Sequence, residues 1–335
     1  MIELTKMQAA DDFSRAHVRA MISRIQNFMN IDKDKLLSFN NVKEILKPKT
    51  ETYKGMREVP INLIVGSEGR YLDFNKFFFP RSEYLRKRWQ RVDEAHITNI
   101  ILPPVQLYEI GGVYFVRDGN HRVSVAKAQG CEYIDAEVIS LSSEIHIEPS
   151  MTQLELREAV IKYEKQMFYE KTHFGEITHD YNLDFSRTGR YDVIYQHILV
   201  HKYYMNQNQS VEIYFSDALL SWYNNVYYPI IHIIEEENMS AVFPKRTVSD
   251  MYVWLVKYWD NLKRTYGANY SLTAAVKDFL NKHSSKNKKR PLLFDFFSRI
   301  MKRDIRGIKR DKRDDAQSAP AKSAAAESGG PNGEP

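Results

Sequence analysis

Five consecutive residues, Asp118-Gly119-Asn120-His121-Arg122, combine the side chains and the backbone freedom that an anion site needs. They stand between a predicted strand and a predicted helix, and the first turn of a helix has backbone N–H groups without intrahelical partners. Gly119 lets the chain approach a ligand closely, and the Arg122 guanidinium is a permanent charge with forked donors. The segment therefore predicts a phosphate site. The competing interpretation is a tight turn with an exposed His-Arg pair.

The pattern on both sides of this segment predicts the elements that would position it. Gly111-Gly112 predicts a two-residue turn of the kind that needs positive φ, and Gly130 stands where helices commonly end. The predicted order is strand, turn, strand, helix and strand, over residues 105–110, 111–112, 113–117, 121–129 and 133–139.

Helical periodicity dominates the rest of the chain. Thr152 with Glu155 and Thr247 with Asp250 have the spacing of a capping box, which marks a helix start. A short strand is predicted at 59–65. Helices are predicted over residues 5–29, 34–46, 82–95, 189–205, 211–224 and 247–264, and another begins at Thr152. Arg57, Arg70, Arg81 and the basic run 86–88 could line a nucleotide or nucleic-acid groove. For 86–88 we favour the alternative, a solvated helix face.

Residues 100–140, which include Gly119-Asn120-His121-Arg122, resemble the ParB/sulfiredoxin-type domain. Members of that superfamily hold nucleotide phosphates with a strand, a Gly-containing turn that ends in Arg, and a helix. The resemblance extends loosely back to about residue 55, and the segment 65–71 stands where the family has an earlier nucleotide-side loop. Residues 243–254 are similar to an uncharacterised bacterial domain that can follow such modules.

The resemblance implies that the chain binds a nucleotide, CTP or ATP, with or without Mg²⁺. It implies phosphate-binding roles for six residues of the two segments: Gly69, Arg70, Gly119, Asn120, His121 and Arg122. It also implies an α+β fold with a mixed sheet and flanking helices, followed by a mainly helical domain.

Departures from the family pattern narrow the function. Sulfiredoxin-like reductases have a cysteine just before the His-Arg pair, where this chain has Asn120, and Cys131 lies beyond the predicted helix. A reductase is therefore not expected. Partition proteins have Gly-Glu-Arg-Arg where this chain has Gly-Asn-His-Arg. This change is compatible with a phosphate-binding site. The helices after residue 151 include no obvious basic recognition helix, which weakens the assignment to DNA partition.

Two classes of function follow from these residues. The first is a ParB-like nucleotide-binding regulator that associates with DNA, in transcription or partition. The second is a small ATP- or ADP-dependent phosphotransferase, or a nuclease or phosphohydrolase, that uses the same pocket. Asp118 and Glu68 are the candidate general bases or Mg²⁺ ligands, and each role needs a carboxylate within hydrogen-bonding reach of the substrate.

Histidine spacing raises a metal site as a further alternative. His197 and His201 are four residues apart and share a helix face, and a stretch at 173–180 holds two more histidines with Glu176 and Asp180. Neutral imidazole suits zinc, iron or nickel. Because no complete metal-binding spacing such as H-E-x-x-H occurs, we predict no metal site.

Composition and charge divide the chain of 335 residues into predicted regions. A single cysteine excludes an internal disulfide framework. The sequence contains no run of about 18 apolar residues, so no membrane-spanning helix is predicted. The start lacks a signal-peptide pattern, so we expect a cytoplasmic protein. The predicted regions are N-terminal helices at 1–50, the ParB/sulfiredoxin-like domain at 51–145, a helical domain at 151–283, a basic amphipathic segment at 284–313 and a disordered tail at 314–335.

The segment 284–313 dominates the charge of the chain. It contains 12 Lys and Arg residues and three Asp residues, a net +9 in a chain whose formal charge is +5. Such a segment suits DNA, an anionic membrane or the groove of a partner, and the competing interpretation is a terminal helix that docks against the body of the protein. We expect a cytoplasmic location, with a possible place at the nucleoid or the inner membrane surface. An oligomer is compatible with the sequence.

Deleting residues 284–335 changes the formal net charge from +5 to −1. We expect the deletion to abolish binding to DNA and to anionic vesicles, because it removes the basic segment. Binding by the full chain should weaken steeply with salt, since exposed charges are screened over about 10 Å at 0.1 M salt. Nucleotide affinity should not change. Co-sedimentation across a salt series measures this, and an unchanged salt slope in the truncated protein would place the polyanion surface elsewhere.

Overall fold

The computed structural model of the chain describes residues 2–207, 209–267 and 269–283. The chain divides between Val256 and Lys257 into two units. The predicted basic segment 284–313 and the predicted tail 314–335 lie outside the described residues. Over the described ranges, the structure has no helix that is both long enough and apolar enough to span a membrane.

A six-stranded mixed sheet forms the centre of the first unit, in the order β1-β3-β5-β4-β6-β2. The parallel pairs are β1–β3, β3–β5 and β4–β6, and the antiparallel pairs are β4–β5 and β2–β6. This confirms the α+β class. The strands are Leu37–Ser38 (β1), Glu51–Pro60 (β2), Ile64–Ser67 (β3), Val105–Ile110 (β4), Val113–Asp118 (β5) and Tyr133–Leu141 (β6).

Helices cover both faces of the sheet. Neighbouring residues of a strand point to opposite faces, so adjacent residues of β5 contact different helices. Val116 joins an apolar cluster with residues of α1, α3 and α4, including Phe13, Trp89 and Val123. Its neighbour Phe115 joins a second cluster that is shared with α2 and α5. The helices of this part are Ile2–Gln26 (α1), Phe39–Leu46 (α2), Arg86–Ile97 (α3), Asn120–Ala128 (α4) and Gln153–Thr172 (α5).

The rest of the described chain is helical, as predicted. The capping box predicted at Thr152 is present: the Glu155 N–H donates to Thr152 Oγ1 at 3.3 Å, and the Thr152 N–H donates to the Glu155 carboxylate at 2.7 Å. The remaining helices are Phe174–Thr178 (α6), Arg190–Asn206 (α7), Phe215–Trp222 (α8), Tyr228–Glu236 (α9), Met239–Val242 (α10), Val248–Tyr266 (α11) and Leu272–His283 (α12), and a π-helical turn, Tyr223–Tyr227, joins α8 to α9.

Two stretches fold differently from the sequence prediction. The predicted strand at 59–65 is in fact the end of a ten-residue strand, β2, followed by a 3-10 turn, Ile61–Leu63, and the start of β3. Most of β2 is exposed at the edge of the sheet, so it has no alternating apolar face that would reveal it. The predicted helix at 34–46 begins only at Phe39, after the short strand β1.

Tyr258, Asp278 and Lys282 link the two helical segments of the second unit. The Tyr258 hydroxyl donates a short hydrogen bond to Asp278 Oδ2, and Lys282 Nζ lies 2.8 Å from the same oxygen. The Phe279 ring packs edge-on against Tyr258 with ring centroids 5.3 Å apart. These contacts hold α12 against the end of α11.

A substitution at Gly66 tests how tightly β3 packs against its neighbours in the sheet. A Cβ at Gly66 would lie 2.3 Å from the Leu37 carbonyl oxygen and 2.5 Å from the Phe115 ring. We expect Gly66→Ala to lower the free energy of unfolding by about 1–3 kcal/mol through overpacking. Gly69→Ala is the matched control, because a Cβ there would meet nothing within 4 Å. Chemical denaturation measures both variants, and equal stability would contradict the packing described for β3.

Candidate anion-binding site

A glycine turn between β5 and α4 sets the position of the candidate site. Gly119 has φ of 101°, and a Cβ there would lie 2.6 Å from Val105 Cγ1. A residue with a side chain would therefore be both strained and obstructed. The Gly119 carbonyl accepts from the Val123 N–H at 3.0 Å, and no side chain caps the helix start. The N–H groups of the first turn thus remain available to a ligand.

This first turn faces a cleft of about 440 Å³, which we call the anion cleft. Four arginines and one carboxylate are among its lining residues, so its charge is strongly positive. The lining residues are Gly69, Arg70, Arg88, Val92, Leu102, Pro103, Arg117, Asp118, Gly119, Asn120, His121 and Arg122.

Two of the four arginines carry no counter-ion within the described residues. Arg88, on α3, is exposed and has no hydrogen-bonding or ion-pair partner there. Arg117, at the end of β5, lies over the Tyr108 ring with its guanidinium carbon 5.7 Å from the centroid. Arg70 Nη1 donates to Asp73 Oδ2 at 3.2 Å, and its side chain is 40% exposed. Three guanidinium groups thus remain open to an anionic ligand.

The guanidinium group of Arg122 is bound by the chain itself. Nη2 donates to Asp118 Oδ2 at 2.6 Å, and Nη1 donates to the Pro104 carbonyl at 2.9 Å and, by a short bond, to the Pro103 carbonyl. The side chain is 17% exposed. Arg122 therefore fixes the loop before β4 as one wall of the cleft.

His121 is the buried polar group of the cleft. It is 5% exposed, its ring packs edge-on against Phe74, and neither ring nitrogen has a partner. Burial, and then the charges of Arg88 and Arg70, lower the pKa of His121 to about 4. The imidazole is therefore neutral at pH 7. One N–H donor and one lone pair remain without partners, as does the buried Asn120 Oδ1. Unpaired buried polar groups are rare in folded proteins.

The structure brings together seven of the eight residues that the sequence analysis selected. The exception is Glu68, which does not line the cleft. Burial, and then the negative charge of Glu68, raises the pKa of Tyr108, which places the Glu68 carboxylate near that ring. The seven are Gly69, Arg70, Asp118, Gly119, Asn120, His121 and Arg122.

Two lining arginines were not selected from the sequence as site residues. Arg88 is exposed, as the interpretation of 86–88 as a solvated face requires, but it also lines the cleft. Arg117 directly precedes the selected segment. The sequence could have indicated Arg117 as a site residue, because it lies at the carboxyl end of a predicted strand, next to the predicted phosphate site.

A second cleft of about 250 Å³, the side cleft, adjoins the first and shares Val92, Leu102, Pro103 and Arg122 with it. Its other lining residues are mainly apolar, and they include Cys131, just before β6, and Tyr133 and Ile134 at the start of β6. The two clefts together offer a charged compartment next to an apolar one.

The histidines considered as metal ligands have other contacts. His197 Nδ1 lies 3.2 Å from the Tyr252 hydroxyl, His201 Nε2 lies 3.0 Å from Ser221 Oγ, and His173 Nδ1 lies 3.3 Å from Glu176. No group of three or more His, Cys, Asp or Glu side chains that is suited to a metal ion occurs within the described residues.

The lowered pKa of His121 predicts a pH dependence of stability. Because the pKa is about 4 in the folded protein and about 6.5 in the unfolded chain, the unfolded chain binds more protons between these values. Stability is therefore fully present above pH 6.5 and declines towards pH 4, by up to about 3 kcal/mol. His121→Gln should show a flatter decline in ligand-free denaturation series. The control His232→Gln, at an exposed position, should match the wild type, and a flat wild-type profile would contradict a neutral buried His121.

Comparisons of the chain with protein-family models, with curated proteins and with solved structures find no match.

Proposed function

We propose that the chain is a nucleotide-binding regulatory protein of the ParB-like type, which binds CTP or ATP with its phosphates in the anion cleft. One observation carries the proposal: Arg70, Arg88 and Arg117 line the cleft into which the uncapped first turn of α4 opens. Guanidinium groups bind phosphate oxygens with paired, charge-assisted hydrogen bonds. Helix N-terminal N–H groups bind the same oxygens.

The size and polarity of the two clefts favour a nucleotide over a single phosphate ion. Their volumes of about 440 and 250 Å³ together fall within the usual range for small-molecule sites. In our proposal the phosphates occupy the charged compartment and the base occupies the side cleft. The apolar side chains of Val92 and Ile134 would contact the flat base there.

A ParB/sulfiredoxin-like fold is part of the same proposal. The supporting observation is the unit of β5, the left-handed Gly119 and α4, placed within a mixed sheet. Association with DNA is also proposed, and it rests on the basic segment 284–313, whose net charge is +9.

The charged groups favour a regulator over the alternative, a phosphotransferase or phosphohydrolase. Asp118 is the one carboxylate among the described lining residues, and it is ion-paired with Arg122. Glu68 does not line the cleft. His121, with a pKa of about 4, is a weak base, whereas an effective general base has a pKa near the working pH. Bound Mg²⁺ would be held mainly by the phosphates, since Asp118 is already paired.

Replacing Arg88 tests the proposed phosphate site. Charge-assisted hydrogen bonds contribute about 1.5–3 kcal/mol each, so Arg88→Ala should weaken CTP or ATP binding by roughly tenfold or more. Little stability should be lost, because Arg88 has no partner in the described structure. The matched control is Arg91→Ala, which removes the same charge from an exposed position of the same helix that does not line the cleft. Isothermal titration calorimetry with each nucleotide, with and without Mg²⁺, gives the affinities.

Equal affinity in the two variants would remove the anion cleft as the nucleotide site. Turnover separates the two classes of function in the same samples. A regulator should hydrolyse the bound nucleotide slowly, whereas rapid phosphate release or transfer to an acceptor would favour the phosphotransferase or phosphohydrolase.

A further inference from the structure

A second group of arginines lies in the helical part of the first unit, outside the anion cleft. Arg190 is the first residue of α7, Arg187 lies in the loop before it, and Arg246 lies just before α11. Arg157, on α5, is close enough for its charge to act on Arg187. We call these four residues the arginine cluster.

A buried carboxylate fixes the backbone beneath the cluster. Asp250, 2% exposed, accepts from the Ser186 N–H at 3.1 Å, from Ser186 Oγ at 2.5 Å and from the Thr247 N–H at 3.3 Å, all at Oδ2. Arg246 Nη1 donates to Ser186 Oγ at 2.8 Å. The loop that carries Arg187 is therefore tied to the start of α11, next to Arg246.

The chain itself only partly offsets the positive charges of the arginine cluster, because the same buried carboxylate, Asp250, acts on both Arg187 and Arg190. Arg190 and Arg246 stand at the positive ends of two helix dipoles, where a cation is repelled. Burial, and then the charge of Arg246, lowers the pKa of Arg187. Burial lowers the pKa of Arg190, with Arg187 adding to the effect, whereas the negative charge of Asp250 raises the pKa of both arginines. The carboxylate at their centre is Asp250, and its Oδ2 already accepts three hydrogen bonds.

Within the described residues, the other carboxylates near the start of α7, Glu164 and Asp192, make no hydrogen bond or ion pair with the cluster. Both oxygens of Glu164 accept from the Gly189 N–H, at 2.8 and 2.7 Å, and Glu164 also feels the charge of Lys47. Asp192 lies in the first turn of α7. Within the described residues, neither Arg187 nor Arg190 has an ion pair or a hydrogen bond. Both are thus free to donate to a ligand.

We propose that Arg187, Arg190 and Arg246 form a second anion site, specific for a phosphate group. Forked guanidinium donors match the tetrahedral oxygens of phosphate. Bound phosphate would also offset the repulsion among the arginines and the two helix dipoles. The group comes either as free phosphate or as the phosphates of a nucleotide. This site stands independently of the function proposed for the anion cleft.

Calorimetric titration with inorganic phosphate in a phosphate-free buffer tests the site. We expect Arg88→Ala to keep wild-type phosphate affinity at the arginine cluster, while any phosphate bound in the anion cleft is held more weakly. We expect Arg187→Gln with Arg190→Gln to weaken phosphate binding at the arginine cluster at least tenfold. The control is Arg264→Gln, which removes an exposed charge paired with Asp260 and should bind as the wild type does.

A further pair of substitutions, Arg187→Lys with Arg190→Lys, keeps the positive charge but removes the paired N–H donors of the guanidinium groups. It should weaken phosphate binding while the thermal melting temperature stays near that of the wild type, so misfolding would not explain the loss. A parallel titration with CTP shows whether the phosphate group comes from a nucleotide or from free phosphate. If the arginine cluster binds nucleotide, the wild type should bind a second CTP and the Gln variant should not. Phosphate binding that is unchanged in the folded Gln variant would overturn the proposal. This holds whether or not the anion cleft binds nucleotide.

Discussion

The position of the candidate site depends on one steric constraint, the passage of the β5–α4 turn against Val105. With φ of 101° and a Cβ position 2.6 Å from Val105 Cγ1, only glycine fits at residue 119. Because the chain turns sharply at this point, α4 begins directly at the carboxyl end of the interior strand β5. Its first N–H groups then open into the anion cleft, between α3 and the loop before β4. Arginines of three further elements, the loop after β3, α3 and the end of β5, line the same cleft.

Around that turn, the fold holds positive charges together next to a neutral buried imidazole. Arg122 is bound by the Pro103 and Pro104 carbonyls and by Asp118, so it shapes the cleft. Arg88 and Arg117 keep their charges unpaired within the described structure. A site whose donors are already in place loses little conformational entropy when it binds, which favours affinity. The same principle applies to the arginine cluster, where Asp250 fixes the backbone and offsets only part of the charge.

Local patterns predicted the part of the fold that holds the site. Alternating apolar residues and the Gly111-Gly112 turn gave β4 and β5, and the α4 boundaries were within one residue of 121–129. The strand β2 could not be predicted in the same way, because an exposed edge strand has no apolar face. Arg88 could not be assigned to the cleft from helical periodicity, since its place there depends on how α3 packs beside α4. The position of the Glu68 side chain outside the anion cleft likewise depends on tertiary contacts rather than on its sequence neighbours.

The most direct test of the central claim is the chemical shift of the backbone amides during a titration with CTP or ATP. Two-dimensional ¹H–¹⁵N correlation spectra of the labelled protein report each N–H group separately. If phosphates bind at the first turn of α4, the largest shifts should occur at Asn120 and His121, with smaller shifts at Gly69 and Arg70. The Gly55 amide, on the exposed edge strand, should not move. Nucleotide binding that leaves the amides of Asn120 and His121 unchanged would contradict the account.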